Sequence, residues 1–395
     1  MKKFVYLCGM MLLTLNMMAQ IDLNDKNWDT IVNDDFTKPG RTWEAWSFLS
    51  SDSAWRAYSG SAVTHSDNFM VYQFSQCHFN DVDHVMELVA EYDTNHWIPI
   101  NNYNLPSWML SPTGPGYPPG ESLYYFSGRL DYVNSRQKEI QKFKYGFFEI
   151  RCKLPIHRGA FPAFWLWDAD STNLEAHYEE IDIFEFSWRF EDTAMAPWHS
   201  PNPHGAGNPY CFSSGIYYCD TSKYLGPETS QARVYPMIND SLSHWHTFSC
   251  EWLPEHIFWY CDDILVDEYC NTDSIPHHAL TLKTNYGIDR YALKGYENEG
   301  EPEWKSQDTM FIDYIKVYQL KWDCGTDETI AQQSELDHFD FAVKKSIAIT
   351  STIEPVSIGN NEKKTFRATD SFQITGPFQV DSGGEMTVIM QSCPE

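Results

Sequence analysis

The sequence predicts an all-β fold of the sandwich type, and three observations lead to that prediction. Short segments of alternating apolar and polar residues recur along the chain, separated by Gly, Pro and Asn. Residues Tyr145–Pro155 alternate in this way, with an apolar face and a largely charged face. Residues Phe258–Tyr269 predict a hairpin that turns at Asp262 and Asp263. No segment of useful length has a helical period, and no repeat of roughly 20 to 50 residues is evident.

The N-terminus predicts a secretory signal peptide over residues 1–19. Lys2 and Lys3 precede an apolar run from Phe4 to Met18, and Met-Ala-Gln follows as a cleavage site near Ala19. No other segment approaches the roughly 20 apolar residues of a transmembrane helix. We therefore expect a secreted protein, extracellular or in the periplasm or on the outer surface, with no membrane span.

The charge and aromatic content of the chain limit the kinds of binding partner that we expect. The 395 residues carry a formal net charge of −27, which argues against nucleic acid, whose phosphates require a basic surface. The same charge weakly disfavours sulfated or uronic glycans, although one local Arg patch would override it. Aromatic residues make up 16% of the chain, with 15 Trp, so part of this excess is core and part is available as flat platforms for sugar rings.

Nine cysteines remain after removal of the signal peptide, and an odd number leaves at least one free thiol. Cys250 and Cys261 lie on neighbouring predicted strands, and Cys324 and Cys393 bracket the C-terminal region. Cys152 falls on an apolar strand face, which predicts a buried free thiol. No Cys-x-x-Cys pair of the kind that holds structural zinc is present.

The most informative segment is Glu180–Glu185, in which three carboxylates are separated only by apolar residues. In a strand, Glu180 and Asp182 share a face, and a β-bulge of one residue would bring Glu185 onto it. Acids crowded on one face repel each other, which raises a pKa and suggests a catalytic use. A retaining glycosidase needs such a pair of carboxyl groups. An acidic strand edge and a calcium site are the alternatives.

This segment resembles the bulged E-x-D-x-x-E signature of glycoside hydrolase family 16, as found in its laminarinase-, agarase- and carrageenase-like members. The resemblance covers roughly residues 28 to 320. Four further segments carry it: Ser127–Leu130 with Tyr145–Pro155, Phe161–Trp167, Trp245–Trp252 and Phe311–Tyr318. It implies a concanavalin-like β-sandwich (jelly roll), with Glu180 as nucleophile, Asp182 as its helper and Glu185 as general acid/base.

Further site residues are predicted around these carboxylates. Trp165 and Trp167 share one strand face and are predicted to line a cleft, while for Arg151 a cleft role and a plain salt bridge are equally open. The loop from Phe186 to Asn208 is long and unusual. From it Trp188 and Arg189 are predicted as substrate ligands.

The resemblance also implies a structural calcium site on the convex side, with Asp313 as a ligand and Asp34 or Asp35 near it. No cofactor is needed for the reaction itself. His246 shares a face with apolar residues and is predicted to be a satisfied core histidine rather than a metal ligand. The Pro- and Gly-rich stretch 106–120 is predicted to be a loop at the cleft.

The chain is predicted to divide into a catalytic sandwich over residues 20–323 and a linker with a small β-module over residues 324–395. Gly325–Ser334 is polar and predicts the linker. Short alternating strands follow, and the lack of Trp favours a spacer over a sugar-binding module.

The activity expected from the resemblance is endo-hydrolysis of a polysaccharide by a monomer. A β-1,3- or mixed-linkage glucan is the first expectation. Agarose, porphyran or carrageenan is the alternative. A lectin-like binding protein on the same fold is the alternative of another class. The intact set of three carboxylates favours the enzyme.

Overall fold

The computed structural model describes most of the predicted strands. The described residues are 28–37, 55–57, 70–93, 95, 98–99, 122–123, 125–134, 139–156, 159–169, 177–186, 211–220, 231–236, 240–254, 256–270, 275–288, 306–339, 341–391 and 393. The predicted signal peptide, the 106–120 loop, Trp188 and Arg189 lie outside these ranges.

The described elements are almost all strands. In the first half of the chain they are β1 Trp28–Asp34, β2 Trp55–Ala57, β3 Val71–Tyr72, β4 Cys77–Asn80, β5 Val85–Tyr92, β6 Ile98–Pro99, β7 Ser122–Leu123, β8 Tyr125–Ser127, β9 Arg129–Asn134, β10 Glu139–Ile140, β11 Lys142–Phe143, β12 Gly146–Lys153, β13 Ala160–Ala169 and β14 His177–Glu185, with a 3₁₀ turn at Phe74–Gln76.

The described residues of the second half continue in the same way and include one short helix. Its elements are β15 Cys211–Asp220, β16 Gln231–Pro236, β17 His246–Leu253, β18 His256–Cys261, β19 Ile264–Tyr269, β20 Leu280–Ile288, β21 Gln307–Leu320, β22 Trp322–Ile330, α1 Gln333–His338, β23 Val343–Ile349, β24 Val356–Ile358, β25 Lys363–Ile374, β26 Phe378–Val380 and β27 Glu385–Met390.

Two large sheets form the sandwich. Among the described strands, the first sheet has the order β19-β18-β17-β12-β21-β5-β8-β3, with β1 beside β21 and β4 beside β5. The second sheet has the order β10-β9-β20-β13-β14-β15-β16, with β11 beside β20 and β2 beside β9. All of the pairs within these sheets are antiparallel except β3 with β8. The predicted all-β sandwich is thereby confirmed.

The inner faces of the two sheets make one apolar core. Phe184 of the second sheet lies against Phe248 of the first, with ring centroids 4.6 Å apart. Trp252 and Trp259, both from the first sheet, are fully buried in this core. Buried aromatic groups of this size dominate the apolar area that the fold removes from water. The core therefore fixes how the two sheets face each other.

The predicted hairpin over residues 258–269 is present as β18 and β19. Asp262 and Asp263 have φ of 48° and 63°, the left-handed values that a tight two-residue hairpin turn requires. Asp262 is held there because its carboxylate accepts the Thr247 N–H at 2.9 Å.

The C-terminal region forms a separate sheet of parallel strands, in the order β22-β23-β25-β27, beside a second parallel pair of β24 and β26. Val356 pairs with Phe378, and Ile349 pairs with Ile374; over all the parallel pairs of this region, neighbouring strands repeat at intervals of 19 to 25 residues. Parallel strands joined by such short connections wind as a coil, as in β-helices.

This coil has its own core and its own bridge. Ten of its buried apolar residues, among them Phe339 and Phe366, cluster apart from the sandwich core. A disulfide joins Cys324 in the first strand to Cys393 after the last. Gly376 stands so close to Ser351 of the turn before it that a Cβ there would lie 1.9 Å from a backbone oxygen. The corners of the coil therefore stack without room for a side chain.

Two expectations for this region are wrong. The polar stretch Gly325–Ser334 is not a linker, because strand β22 covers Trp322–Ile330 and helix α1 begins at Gln333. As an edge strand, β22 is largely exposed, so it needs few apolar residues and resembles a loop in sequence. The coil is also a repeat of the kind that the sequence did not reveal, since most of its paired positions carry different residues.

The coil touches the sandwich where the chain passes from one to the other. Trp322 packs against the sandwich core, with its ring centroid 6.1 Å from that of Tyr145. Whether the sandwich folds without the coil, as the domain boundary at residue 323 implies, stays a prediction.

Candidate active site

Strand β14 carries the three carboxylates, and its register contains the predicted bulge. On neighbouring β13, Trp165 pairs with Asp182 while Phe164 pairs with Phe184, so Ile183 is the extra residue. The pairing of β14 with β15 shifts over the same interval. Ile183 and Phe184 are both buried in the core, which turns the next residue outward again.

The bulge therefore places Glu185 on the same face of the sheet as Glu180 and Asp182. Their partners on β13 are Ala163, Trp167 and Trp165. Glu180 and Glu185 are half-buried, whereas Asp182 between them has an exposed fraction of only 2%. The acids form one cluster, with a glutamate on each side of a buried aspartate.

A hydrogen bond from the opposite sheet holds the bulge. The indole Nε1 of Trp259 donates to the backbone oxygen of Asp182 at 2.9 Å. Trp259 is fully buried on β18 of the first sheet. A bulge interrupts the regular ladder and leaves a backbone group to be satisfied elsewhere. Here a core tryptophan satisfies it, so the position of the carboxylate cluster depends on how the two sheets are packed.

The environment of Asp182 favours its protonated form. Burial is the largest cause that raises its pKa well above the ordinary value, and the negative charges of Glu185 and Glu180 add to it. A contact with the Glu180 side chain acts in the same direction. Both carboxylate oxygens are buried, and no described donor makes a hydrogen bond to either. The protonated form of Asp182 is therefore the one that its buried, acidic surroundings favour.

Beside this cluster, side chains from strands β20 and β9 form a polar surface, the polar floor of the site. Lys283 of β20 pairs with Trp165 on one side and with Asp131 of β9 on the other. Its Nζ lies 5.0 Å from the ring centroid of Trp167, 5.7 Å from that of Trp165 and 4.0 Å from the Asp131 carboxylate. The Lys283 ammonium thus lies between the two tryptophan rings and the Asp131 carboxylate, which has an exposed fraction of 1%.

Two further side chains order this floor. The indole Nε1 of Trp165 donates to Asn285 Oδ1 at 2.8 Å, which fixes the tilt of the ring. Arg129 pairs with Asn285 across the strands and makes a 3.0 Å ion pair with Asp131. Lys283, Asn285 and Asp131 were not among the residues predicted from the sequence. A signal was present, because Lys283 and Asn285 share one face of a strand whose other face carries Leu282, Thr284 and Tyr286.

Trp165 and Trp167 lie where the sequence analysis placed them relative to the carboxylates. Both are half-buried, on the face that carries Glu180 and Asp182, with ring centroids 6.1 Å apart. Their role in substrate binding stays a prediction. The other two residues predicted there, Trp188 and Arg189, lie outside the described residues.

Arg151 and Asp313 do not belong to this site. Both lie on the first sheet, and the neighbours of Arg151 along β12 point into the core, so Arg151 faces the opposite outer surface of the sandwich. Arg151 Nη1 pairs with the Asp313 carboxylate and lies over the ring of Trp245 at 5.1 Å. The cleft role for Arg151 is therefore wrong. The guanidinium thus pairs with the carboxylate that was predicted as a calcium ligand, and calcium binding at Asp313 stays a prediction.

Two other groups of side chains have the composition of metal ligands within the described part of the chain. One is Glu179 with His277 and His278, and the other is His246 with Cys261 and Asp262. In the second, His246 Nδ1 lies 2.7 Å from Asp262 and Nε2 lies 3.0 Å from the Ser241 oxygen. His246 is buried with both ring nitrogens used, as predicted for a core histidine.

Comparison with known proteins decides the family. The model of the glycosyl hydrolases family 16 matches residues 126–316, which include β14 and the polar floor. Residues 126–316 of the chain belong to glycosyl hydrolase family 16. This match confirms the resemblance seen in the sequence and, for that segment, the glycoside hydrolase class that it implied.

The similar proteins include enzymes named for β-glucans. An endo-1,3-1,4-beta-glycanase of Rhizobium meliloti (strain 1021) is 25% identical over 226 residues, which is 57% of this chain and 41% of that protein. A beta-glucanase of Rhodothermus marinus is 28% identical over 217 residues, 51% of this chain and 65% of its own. This chain spans 41% and 37% of the length of two Rhizobium relatives.

A solved structure agrees with the fold. The catalytic domain of an endo-1,3-beta-glucanase (laminarinase) from Thermotoga petrophila RKU-1 superposes with a TM-score of 0.50 at 17% identity, over 74% of this chain and 98% of that domain. At this identity the likeness concerns the fold alone. Among the residues that the structure describes, no helix has the length and apolar character needed to cross a bilayer.

Proposed function

We propose that this chain is a secreted, retaining endo-β-glucanase that cleaves β-1,3- or mixed-linkage glucans. The observation that carries the proposal is the bulged strand β14, which sets Glu180 and Glu185 on one face with the buried Asp182 between them. The names of two similar enzymes, a beta-glucanase and a glucan endo-1,3-beta-glucosidase, support a β-glucan substrate. The signal peptide predicted over residues 1–19 supports secretion.

The reaction follows from the order of these groups. Glu180 attacks the anomeric carbon, while Glu185, protonated at the start, gives its proton to the leaving oxygen. A covalent glycosyl-enzyme forms on Glu180. Glu185 then takes a proton from the water that hydrolyses this intermediate, and the product keeps the β configuration.

Asp182 has a supporting role in this sequence. The raised pKa of Asp182 favours its protonated form, which can donate to Glu180 and orient the ionised nucleophile. Attack neutralises the Glu180 carboxylate while Glu185 gives up its proton, so the negative charge of the pair moves from Glu180 to Glu185 in the covalent intermediate.

The floor residues suggest how the sugar is held. Trp165 and Trp167 offer ring faces beside the nucleophile strand, and the Lys283 ammonium lies against both rings. Apolar faces of sugar rings pack on such aromatic surfaces, while the neighbouring polar groups supply hydrogen bonds to hydroxyls. This arrangement suits a neutral polysaccharide.

The first experiment removes the nucleophile. Glu180→Gln should fold normally and lose turnover by several orders of magnitude on laminarin and lichenan, because no covalent intermediate forms. Glu87→Gln, a half-buried glutamate on β5 of the first sheet, is the matched control and should keep full activity. Near-normal activity of Glu180→Gln would sink the assignment. A wild-type protein that binds these glucans but releases no reducing sugar would be a lectin-like binder.

A second experiment separates the roles of the two glutamates and tests the substrate. Azide should rescue Glu185→Ala as a β-glycosyl azide, since azide needs no general base. A β-azide from Glu180→Ala together with an α-azide from Glu185→Ala would reverse the two roles. On a panel of laminarin, lichenan, agarose, porphyran and carrageenan, release from the galactans alone would replace the glucan proposal with the galactan alternative.

A further inference from the structure

Strand β14 carries a fourth acid whose surroundings are unlike those of the catalytic three. Glu179 precedes Glu180 and points to the other face of the strand. It has an exposed fraction of 0%. The segment 275–279, which leads into β20, lies over it. A fully buried carboxylate is costly unless cations or several donors stabilise it.

Two consecutive histidines converge on this carboxylate. His278 Nδ1 lies 3.1 Å from Glu179 Oε1, and His277 Nδ1 lies 3.5 Å from the same atom. The backbone N–H groups of both histidines also donate to Glu179, at 3.4 and 3.1 Å. The two imidazole rings are 4.2 Å apart, and the side chains of both are about half exposed.

This arrangement has the dimensions of a zinc site. Zinc binds imidazole nitrogen and carboxylate oxygen at about 2.0–2.2 Å in a tetrahedron, whose edges are then about 3.3 Å long. The separations of 3.1 and 3.5 Å between the ring nitrogens and Oε1 match such edges. One ligand atom from each of the three residues lies within 4.8 Å of the others. The carboxylate is buried, whereas the imidazoles are open to solvent and give the ion a path of entry.

We propose that Glu179, His277 and His278 bind a zinc ion, or a similar divalent transition metal, at the end of strand β14. The metal replaces the proton between each Nδ1 and the carboxylate, and the backbone N–H bonds to Glu179 remain. Solvent supplies the fourth ligand. The proposal is independent of the glycosidase reaction, because these residues point away from the face that carries Glu180.

The second group of metal-like side chains is a weaker candidate. Both ring nitrogens of His246 already have partners, and the Asp262 carboxylate holds the hairpin turn. Burial raises the pKa of the Cys261 thiol, which disfavours the thiolate that zinc requires. At the Glu179 site, by contrast, the contacts of the two Nδ1 atoms are with the carboxylate of the same group, and no thiol is involved.

A zinc ion bound here would link two strands of the second sheet. Glu179 belongs to β14, and the histidines stand just before β20, which carries Lys283 and Asn285. Strand β13 lies between them. An ion at Glu179 would therefore tie together the two strands that flank Trp165 and Trp167.

Calorimetric titration of the full chain with zinc chloride, after treatment with a chelator, tests the proposal. The wild-type protein should take up one zinc ion that the His277→Ala/His278→Ala variant does not. At about 100 times Kd, zinc should raise the wild-type Tm by about 5 °C and leave that of the variant unchanged. The double variant His78→Ala/His244→Ala removes two other exposed histidines and should behave like wild type.

Two further measurements keep the test decisive. Glu179→Gln retains an oxygen for the backbone N–H groups, so it should fold and yet bind zinc at least tenfold more weakly. Cobalt in place of zinc should give a visible tetrahedral spectrum without a thiolate charge-transfer band. A thiolate band would assign the ion to Cys261 and overturn the proposal. Equal zinc binding by wild type and both site variants, or no binding by the wild type, would overturn it as well.

Discussion

Replacing Trp259 by Phe should separate the geometry of the bulge from the stability of the core. Trp259 is 1% exposed, and its Nε1 donates to the backbone oxygen of Asp182 at 2.9 Å. Phenylalanine keeps an aromatic ring in the core but has no donor. The backbone of the bulge then loses its hydrogen bond to the first sheet. The direction of the Glu185 side chain, which depends on the bulge, is no longer fixed by that bond.

The loss of stability follows from this contact. An unpaired buried carbonyl costs about 1–3 kcal/mol, and the smaller ring leaves a void that adds about 1 kcal/mol. We expect Trp259→Phe to lower the free energy of unfolding by about 2–4 kcal/mol. Trp252→Phe is the matched control, because Trp252 is equally buried and donates to the Pro276 oxygen at the same 2.9 Å.

The two variants should differ in activity. A displacement of about 1 Å in a catalytic group costs roughly a hundredfold in rate. We therefore expect Trp259→Phe to lower kcat by about 10- to 100-fold with little change in KM, and Trp252→Phe to stay within about twofold of wild type. Assays of soluble glucan hydrolysis well below both melting temperatures measure this. Equal kcat values for the two variants would refute the view that the indole positions the bulge.

Three other changes have definite expected outcomes. Burial and acidic neighbours raise the pKa of Asp182, so its ionisation costs stability as pH rises from the ordinary value through the raised one. Asp182→Asn should melt higher than wild type at neutral pH, converge with it at acid pH, and turn over more slowly. Reducing the Cys324–Cys393 bridge, which spans 69 residues, should destabilise the coil by about 4 kcal/mol, seen as an earlier calorimetric transition. A chain that ends at Leu320 should keep kcat within about twofold and lose a few degrees in Tm, since Tyr145 is uncovered. Unchanged melting in any of the three, or an unfolded truncated chain, would contradict the reasoning.

The sequence was most informative where the predictive pattern of residues lies within a single strand or hairpin. The spacing of Glu180, Asp182 and Glu185 requires an extra residue, and the register places it at Ile183. Alternation along β12 and the hairpin at Asp262 likewise depend only on neighbouring residues. Such local patterns are set by the two-residue period of a strand and are readable without knowledge of its partners.

The sequence was least informative where strands distant in the chain meet. Arg151 sits on a polar face, but alternation does not tell which of two sheets that face belongs to. Lys283 and Asn285 reach Trp165 only because β20 lies beside β13, a pairing between segments more than a hundred residues apart. Trp259 reaches Asp182 across the core, and no periodicity contains that contact.

The parallel coil at the C-terminus has a geometric consequence for the protein as an assembly of parts. Strands of a sheet are about 4.8 Å apart, so each turn of 19 to 25 residues advances the chain by only that step. Duplicating or deleting one turn would move the chain end by about 5 Å without disturbing the sandwich. The length of the coil therefore changes in steps of one strand spacing. The number of its turns, more than the residues on their surface, sets the distance between the sandwich and the end of the coil.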